Sequence, residues 1–366
     1  MIEIFAKSIE WRLDRAREDR GESFIVIDGE DIFHRYALDL VFKCFYKQDN
    51  MVDYYAEKDF WVDLIDRSLR TLLNPLVFLC IVFPVLKPSM QWLLMQFHPQ
   101  GLLRRTLMSF IRVQARINLN AKKQLKSAMR RVKAGNFNAD NYELADGSRF
   151  IRNMIDYVID QFHEEKLTER EYFNSTFFLF FAANKTSADA LSRLFYHLAI
   201  HQDVQIRLRE SILRDGIESE YLVWVLNESM RLFPPALIGC SRTISRDIET
   251  KSGLIPAGTM VITPTHTIAR LTKYWGEDAD QFKPERWRKS RSFNPVQYLV
   301  FGAGKRGCPG KDLAMHEMKM LLDVLLRRFK FDKAWESTGP IQYESPLMIF
   351  NVSDSPTYVK ISRLEH

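Results

Sequence analysis

Apolar side chains recur at helical spacing among Glu, Asp, Lys and Arg over residues 2–19, which predicts a charged amphipathic helix at the start of the chain. Behind Gly29, Glu30 and Asp31 precede an apolar run with Tyr36, Leu38, Leu40, Val41 and Phe42, predicting a second helix over 29–45. Residues 71–86 carry no charge, and Pro75 and Pro84 interrupt them, so the segment is too short and too broken to span a bilayer. For 72–86 two readings stay open: a core segment, or a hydrophobic loop that dips into a membrane interface. Residues 101–139 hold no acid, while Arg104, Arg105, Arg112, Arg116, Lys122, Lys123 and Lys126 stud a helix expected over 102–134 and ended by Gly135. That helix has either a solvated basic face or one suited to anionic lipid headgroups.

Thr168 and Glu171 form a capping box that opens a long helix running to about His201, aromatic at Tyr172, Phe173, Phe177, Phe178, Phe180 and Phe181. Asp203 is expected to cap a shorter helix ending near Gly216. A third begins about Ser219 and stops at Pro234-Pro235. Beyond Asp247 the pattern changes to short strands and turns, with residues 255–259 turning into a strand over 260–263. An amphipathic helix begins near Lys311.

Composition agrees with helix. The chain has 366 residues, 46% hydrophobic, with only 15 Gly and 14 Pro, which supports one domain over 1–366, mainly α with a small β portion. Cys44, Cys80, Cys240 and Cys308 are widely spaced, without a C-x-x-C pair, which argues against a secreted disulfide scaffold. The net charge of +6 suits an acidic partner or an anionic membrane surface. No zinc-finger spacing or RNP-type motif accompanies it, so nucleic-acid binding is not expected. Residues 1–20 are too charged for a signal peptide or a membrane helix.

The candidate chemistry lies in Phe301-Gly302-Ala303-Gly304-Lys305-Arg306-Gly307-Cys308-Pro309-Gly310. Glycines at 302, 304 and 310 let the backbone turn tightly, enter positive φ and lie close to a flat cofactor. A thiolate at Cys308 would face the positive end of the helix that follows. Arg306 could reach an anionic propionate. Glu228 and Arg231 project from one helical face, a pairing that is common on helix surfaces and says little alone. On the aromatic-rich helix, Ala182-Ala183-Asn184-Lys185-Thr186-Ser187 offers a hydroxyl at Thr186, which taken alone can be a helical threonine bonded to the preceding turn. His197 and His201 have metal-ligand spacing but no third ligand nearby, and they are assigned to the fold, as is His316.

The run Phe-x-x-Gly-x-Arg-x-Cys-x-Gly, the order Glu-x-x-Arg, proline-ended helix, then Phe282-Lys283-Pro284-Glu285-Arg286-Trp287, and the Thr186 segment together resemble the cytochromes P450, and the apolar 72–86 region with the phenylalanine-rich stretch from Phe177 to Phe181 looks most like the microsomal branch that oxidises drugs and steroids. The resemblance covers residues 30–361. It implies haem b with Cys308 as axial iron ligand, Phe301, Gly302, Arg306, Gly310 and Arg242 around the cofactor, and a buried structural cluster of Glu228, Arg231 and Arg286. Thr186 would hold protons for dioxygen activation, although the family's acid beside it is Lys185 here, its glycine is Ala183, and its His-Arg pair is Ala269-Arg270. An apolar pocket would draw on Phe177, Phe181, Ala182, Leu237, Ile238, Leu347 and Met348.

The implied activity is oxidation of a small lipophilic substrate with O2 and electrons from NADPH-cytochrome P450 reductase, on the cytosolic face of the endoplasmic reticulum membrane. The implied fold is that of a cytochrome P450 lacking its N-terminal part, including the membrane anchor. Two alternatives stay open: a P450-type isomerase or lyase that needs no reductase, and a truncated, non-catalytic haem-binding chain.

Overall fold

A computed structural model describes residues 1–46, 168–239, 241–292, 295–334 and 357–364. The 72–86 segment, the 102–134 helix, Leu347, Met348 and the side chains of Phe177 and Phe181 lie outside the described residues. By its contacts the chain divides into two compact units, Met1–Tyr36 with Lys185–His366, and Ala37–Asn184. The described residues of the second unit are 37–46 and 168–184, which belong to two helices that continue into the first.

In the first unit, α1 (Ile2–Arg20) ends at Gly21, whose φ of 68° closes the helix with bonds to Ala16 and Arg17 carbonyls. A strand follows, β1 (Phe24–Asp28), and then α2 (Gly29–Tyr46). Glycine at position 29 admits a close approach of the chain. A Cβ there would stand 3.0 Å from the Thr357 carbonyl and 3.2 Å from Ser192 Oγ.

The long helix α3 (Glu169–Ile200) opens with the capping box in full. Thr168 N donates to Glu171 Oε2 at 2.8 Å, and Glu171 N donates to Thr168 Oγ1 at 3.3 Å. For α4 (Gln202–Asp215) the expectation is corrected: His201 is the cap residue, and Asp203 stands inside the first turn, where its charge favours the helix N-terminus. Ser219 caps α5 (Glu220–Leu232), accepting from Leu222 N at 3.1 Å.

Four short strands follow, paired as two antiparallel hairpins: β2 (Arg242–Thr243) with β5 (Met260–Val261), and β3 (Ile248–Thr250) with β4 (Gly253–Ile255). The strand expected over 260–263 is therefore two residues long. Thr263 instead bonds across to the chain leaving α5, where Gly239 N donates to its carbonyl at 2.7 Å. One-turn helices α6 (Thr265–Ile268) and α7 (Thr272–Trp275) lead to the 3-10 segment Pro284–Ser292, the cysteine loop, and α8 (Lys311–Arg328).

Directly after α8 comes β6 (Phe329–Lys333), and β7 (Tyr358–Arg363) joins it to β1 in a three-stranded antiparallel sheet of order β1-β7-β6. Alternation places Ile25 and Ile27, Val359 and Ile361, and Phe329 and Phe331 on the buried face, with Ile361 opposite both Ile25 and Phe331. The sheet closes over an aromatic core. Phe33 stacks on Phe195 at 4.8 Å, Phe195 meets Phe331 at 4.6 Å, and Phe5 meets Tyr36 at 5.0 Å. His197 belongs to this interior, stacked on Phe282 at 4.4 Å, and burial holds its pKa well below the usual histidine range. Among the described residues no helix is long and apolar enough to cross a membrane.

Candidate functional site

The cysteine loop is built by its own backbone. Gly302 and Gly304 take φ of 69° and 65°, left-handed values that a side chain would strain. Between them and the cysteine the chain makes one 3-10 turn, Gly304–Arg306, closed by Gly307 N on the Gly304 carbonyl at 3.0 Å. Cys308 N then donates back to the Phe301 carbonyl at 2.7 Å, pinning the residue that carries the sulfur. Gly310 departs from expectation: its φ is −90°, a conformation open to any residue, and it caps α8. A Cβ at 310 would lie 3.9 Å from Cys308 Sγ, so glycine there leaves free the space over the sulfur.

Cys308 is exposed, as a free cysteine, in a cavity of about 240 Å³ lined by Tyr298, Phe301, Lys311 and three of the loop's glycines. Thr186 is not among the lining residues; it lies half-buried on α3 beside the buried Lys185. Arg306 is exposed at the end of the 3-10 turn, and Arg242 is exposed on β2, with Nη1 donating to the Ser241 carbonyl at 2.9 Å. Leu237 is buried, and Ile238 and Ala182 are half-buried.

Glu228, Arg231 and Arg286 come together. Arg231 forks onto Glu228, Nε to Oε2 and Nη2 to Oε1, both at 2.9 Å. Glu228 also accepts from Arg286 Nε at 2.7 Å, Trp287 Nε1 at 2.9 Å and Lys283 N at 2.9 Å, which leaves the buried carboxylate fully used. The rest of the Arg231 fork goes to main chain, with Nη1 donating to the Ala269 carbonyl at 2.6 Å. Where the resemblance leads one to expect a histidine side chain, the backbone of Ala269 thus supplies an acceptor. Asp278 adds the second negative charge, 3.2 Å from Arg286 Nη1 and 2.9 Å from Lys283 Nζ. The Lys283 bond, followed by the nearby Arg286 charge, holds its pKa below the usual carboxylate range.

The cluster and the cysteine loop are joined by aromatic rings, Trp287 at the end of the 282–287 run and Trp275 and Tyr298 outside any quoted motif. Trp287, bonded to Glu228, meets Tyr298 edge-on at 4.8 Å, and Tyr298 lines the cavity at Cys308. Trp275 packs against Trp287 at 5.6 Å and lies under the Arg231 guanidinium at 4.9 Å. The signal in the sequence is Trp275, Trp287 and Tyr298 grouped shortly before the cysteine.

On α3, Lys185 Nζ donates to Asp189 Oδ1 at 2.7 Å, with side chains 5% and 2% exposed. His34 of α2 places Nε2 3.8 Å from the same oxygen. Burial, only partly offset by Lys185, pushes the Asp189 pKa up to about 6, and burial keeps that of His34 well below its usual range.

One exposed thiol thus stands in a cavity walled largely by glycine backbone. Among the described residues no cluster of three or more His, Cys, Asp or Glu side chains gathers as a metal site. The exposed Cys308 thiol, among Cβ-less neighbours, offers the single soft sulfur that an iron porphyrin takes as ligand.

The comparisons agree. The sequence model of the family described as Cytochrome P450 matches residues 1–361. The chain is 30% identical over 331 residues to human cytochrome P450 3A5, covering 86% of this chain and 61% of that protein. It is 29% identical over 350 residues to mouse cytochrome P450 3A13, covering 90% and 65%, and 29% identical over 357 residues to dog cytochrome P450 3A12, covering 92% and 66%. The chain belongs to the cytochrome P450 family, whose cofactor is haem b. It spans just under two thirds of the length of these relatives.

Proposed function

We propose that the chain is the haem-thiolate portion of a monooxygenase that oxidises a small lipophilic substrate with O2 and electrons from NADPH-cytochrome P450 reductase. The observation that carries this reading is Cys308, exposed in a cavity walled by glycine backbone and held by the Phe301 carbonyl. Cys308 would ligate the iron, Phe301, Gly302 and Gly310 would flank the ring, and the exposed side chains of Arg306 and Arg242 would face its propionates. When bound, the haem supplies the redox chemistry, and the electron-rich thiolate favours O–O cleavage.

The protein's own share is positional. The Glu228, Arg231 and Arg286 cluster, through Trp287 and Tyr298, braces the wall against which the cofactor would lie. The Thr186 hydroxyl would hold a proton at the oxygen side. Leu237 and Ile238 would contribute to an apolar pocket that binds substrate and excludes water. Residues 72–86 and 102–134 would meet the cytosolic surface of the endoplasmic reticulum membrane.

The ion pair at Lys185 favours a second reading, an isomerase or lyase of the same family that needs neither reductase nor an acid beside Thr186. A lipophilic probe incubated with the haem-loaded chain under labelled dioxygen separates the readings. The monooxygenase incorporates one labelled oxygen atom only with NADPH and reductase, an isomerase or lyase converts its substrate without them, and a non-catalytic chain does neither.

A further inference from the structure

The rings that join the charge cluster to the cavity also extend the other way, towards solvent. Trp275, Ala279 and Trp287 form one buried cluster, and Trp224, Tyr274 and Tyr298 pack against it. Trp224 stands on α5, and Tyr221, one turn earlier, meets it edge-on at 6.0 Å. Tyr221 is half-buried, and its hydroxyl donates to Glu285 Oε1 at 3.2 Å, on a side chain 37% exposed. A line of rings thus runs from Tyr298 in the cavity wall, through Trp287 and its cluster to Trp224, and on to Tyr221 near the surface.

The chain holds 26 Phe against 7 Trp, and the core under the three-stranded sheet packs Phe on Phe, yet these six rings are all indoles or phenols. Phenylalanine would serve burial equally well. Indole and phenol differ from it in giving up an electron far more readily. Their surroundings also grade them. Trp287 Nε1 donates to Glu228 Oε2 at 2.9 Å, a negative charge that favours a positive ring, whereas Trp275 lies under the Arg231 guanidinium at 4.9 Å, which opposes one. Tyr298 donates to Asn227 Oδ1 at 3.4 Å, an amide oxygen that takes no proton. Tyr221 instead faces a carboxylate, a base within reach of its proton. Arg207, 5.4 Å over the Tyr221 ring, is itself paired with Glu285 at 2.6 Å.

Resting on the haem-thiolate reading, we propose that Tyr298, Trp287, Trp224 and Tyr221 carry oxidising equivalents from the cofactor cavity to the surface. This gives the chain a peroxidase activity with a hydroperoxide as oxidant and a small thiol as reductant. The electrons and atoms balance. A hydroperoxide reduced in the cavity takes up two electrons and two protons and leaves as an alcohol and water. The electrons are drawn along the line one at a time, and Tyr221 is the last to give, its electron passing inward to Trp224 and its phenolic proton to Glu285. A thiol at the surface returns a hydrogen atom to the Tyr221 oxygen, and Glu285 releases its proton to solvent. Two thiyl radicals then couple, so that one hydroperoxide and two thiols become one alcohol, one water and one disulfide.

The test uses the haem-loaded full chain beside Tyr221→Phe and Trp224→Phe, which keep a ring in each place. All three should show the thiolate-type Soret band of the reduced carbon monoxide complex. Frozen promptly after mixing with cumene hydroperoxide, the parent should give a tyrosyl signal in electron paramagnetic resonance that narrows when the chain carries ring-deuterated tyrosine. Tyr221→Phe should lose that signal and show a tryptophan radical in its place, and Trp224→Phe should lose the tyrosyl signal. With glutathione present, both variants should lose the hydroperoxide-dependent formation of glutathione disulfide that the parent shows. A parent with the Soret band but no tyrosyl signal, a tyrosyl signal that survives in Tyr221→Phe, or disulfide formed at the parent's rate in both variants overturns the line of rings alone. A parent without the Soret band overturns the haem-thiolate reading, and with it the starting point of the line.

Discussion

Glu228 and Arg231 are joined end to end, two nitrogens on two oxygens at 2.9 Å, with neither side chain exposed to solvent. Both charges have left water, a cost that the pair offsets only because the remaining fork and the carboxylate are fully hydrogen-bonded. A pair of this kind contributes less by its own attraction than its loss costs. Arg231→Lys keeps the charge but cannot span two oxygens and reach the Ala269 carbonyl. It should lower unfolding free energy by about 3 kcal/mol or more. Arg286→Lys, at a position with 8% side-chain exposure and an Asp278 partner near solvent, should cost less. Urea unfolding followed by far-ultraviolet circular dichroism gives the order, and an equal loss for both would contradict this account of the cluster.

Backbone strain separates the loop's glycines. Gly302→Ala places a Cβ at φ 69° and should cost about 1–2 kcal/mol in the haem-free chain. Gly310→Ala, at φ −90° with Cys308 Sγ at ordinary contact distance, should leave the haem-free stability within about 0.5 kcal/mol. Thermal unfolding of the two variants beside the parent checks the contrast.

Glu317 on α8 is buried, its Oε1 has no partner among the described residues, and burial pushes its pKa from 4.5 up to about 8. A carboxyl whose folded pKa is raised contributes stability that is complete below its unfolded pKa and is lost as pH climbs through the folded value. The parent should therefore lose stability between about pH 4.5 and pH 8 from this group. Glu317→Gln should remove that slope, matching the parent near pH 4 and exceeding it above pH 8 by up to about 4 kcal/mol. Urea midpoints of both chains across this range are the measurement. Parallel curves would refute the assignment.

Gln205 acts as an extra rung on β6. Its amide donates to the Phe331 carbonyl at 2.7 Å and accepts from Phe331 N at 3.1 Å, both within the core. Gln205→Ala strands the Phe331 N–H, while the Phe331 carbonyl keeps the Gln202 amide at 2.8 Å, and should cost about 1–3 kcal/mol. Hydrogen exchange should show the Phe331 amide losing protection while the Ile361 amide, on the neighbouring strand, keeps most of its own.

What the sequence reveals here follows the range of the interactions. The capping box at Thr168 and the Ser219 cap are legible because partners three residues apart satisfy each other. The Gly-rich loop is legible for the same reason, since its turns close within a few residues. Strand β1 is not: Phe-Ile-Val-Ile-Asp is a short apolar run whose alternation appears only in its burial, it pairs with β7 at the far end of the chain, and five residues carry little signal without that partner. The strand expected past Val261 stops because Thr263 bonds to Gly239, a contact that no local pattern announces.

At the site, residue types were readable where a motif lists them, and not where main chain does the work. Ala269 looks like a lost partner in sequence and proves to be a carbonyl acceptor in space. Lys185 reads as a substitution that removes an acid, and in the structure it pairs with the buried Asp189 one turn further on. Trp287 and Tyr298 link the charge cluster to the cavity through ring packing, which leaves no fixed spacing behind.

The most direct test of the central claim is the reduced carbon monoxide difference spectrum of the haem-loaded chain beside Cys308→Ala. The account predicts a thiolate-type Soret band in the parent and none in the variant. A band that survives loss of Cys308, or a parent that takes up haem without forming it, would contradict the assignment of the iron ligand.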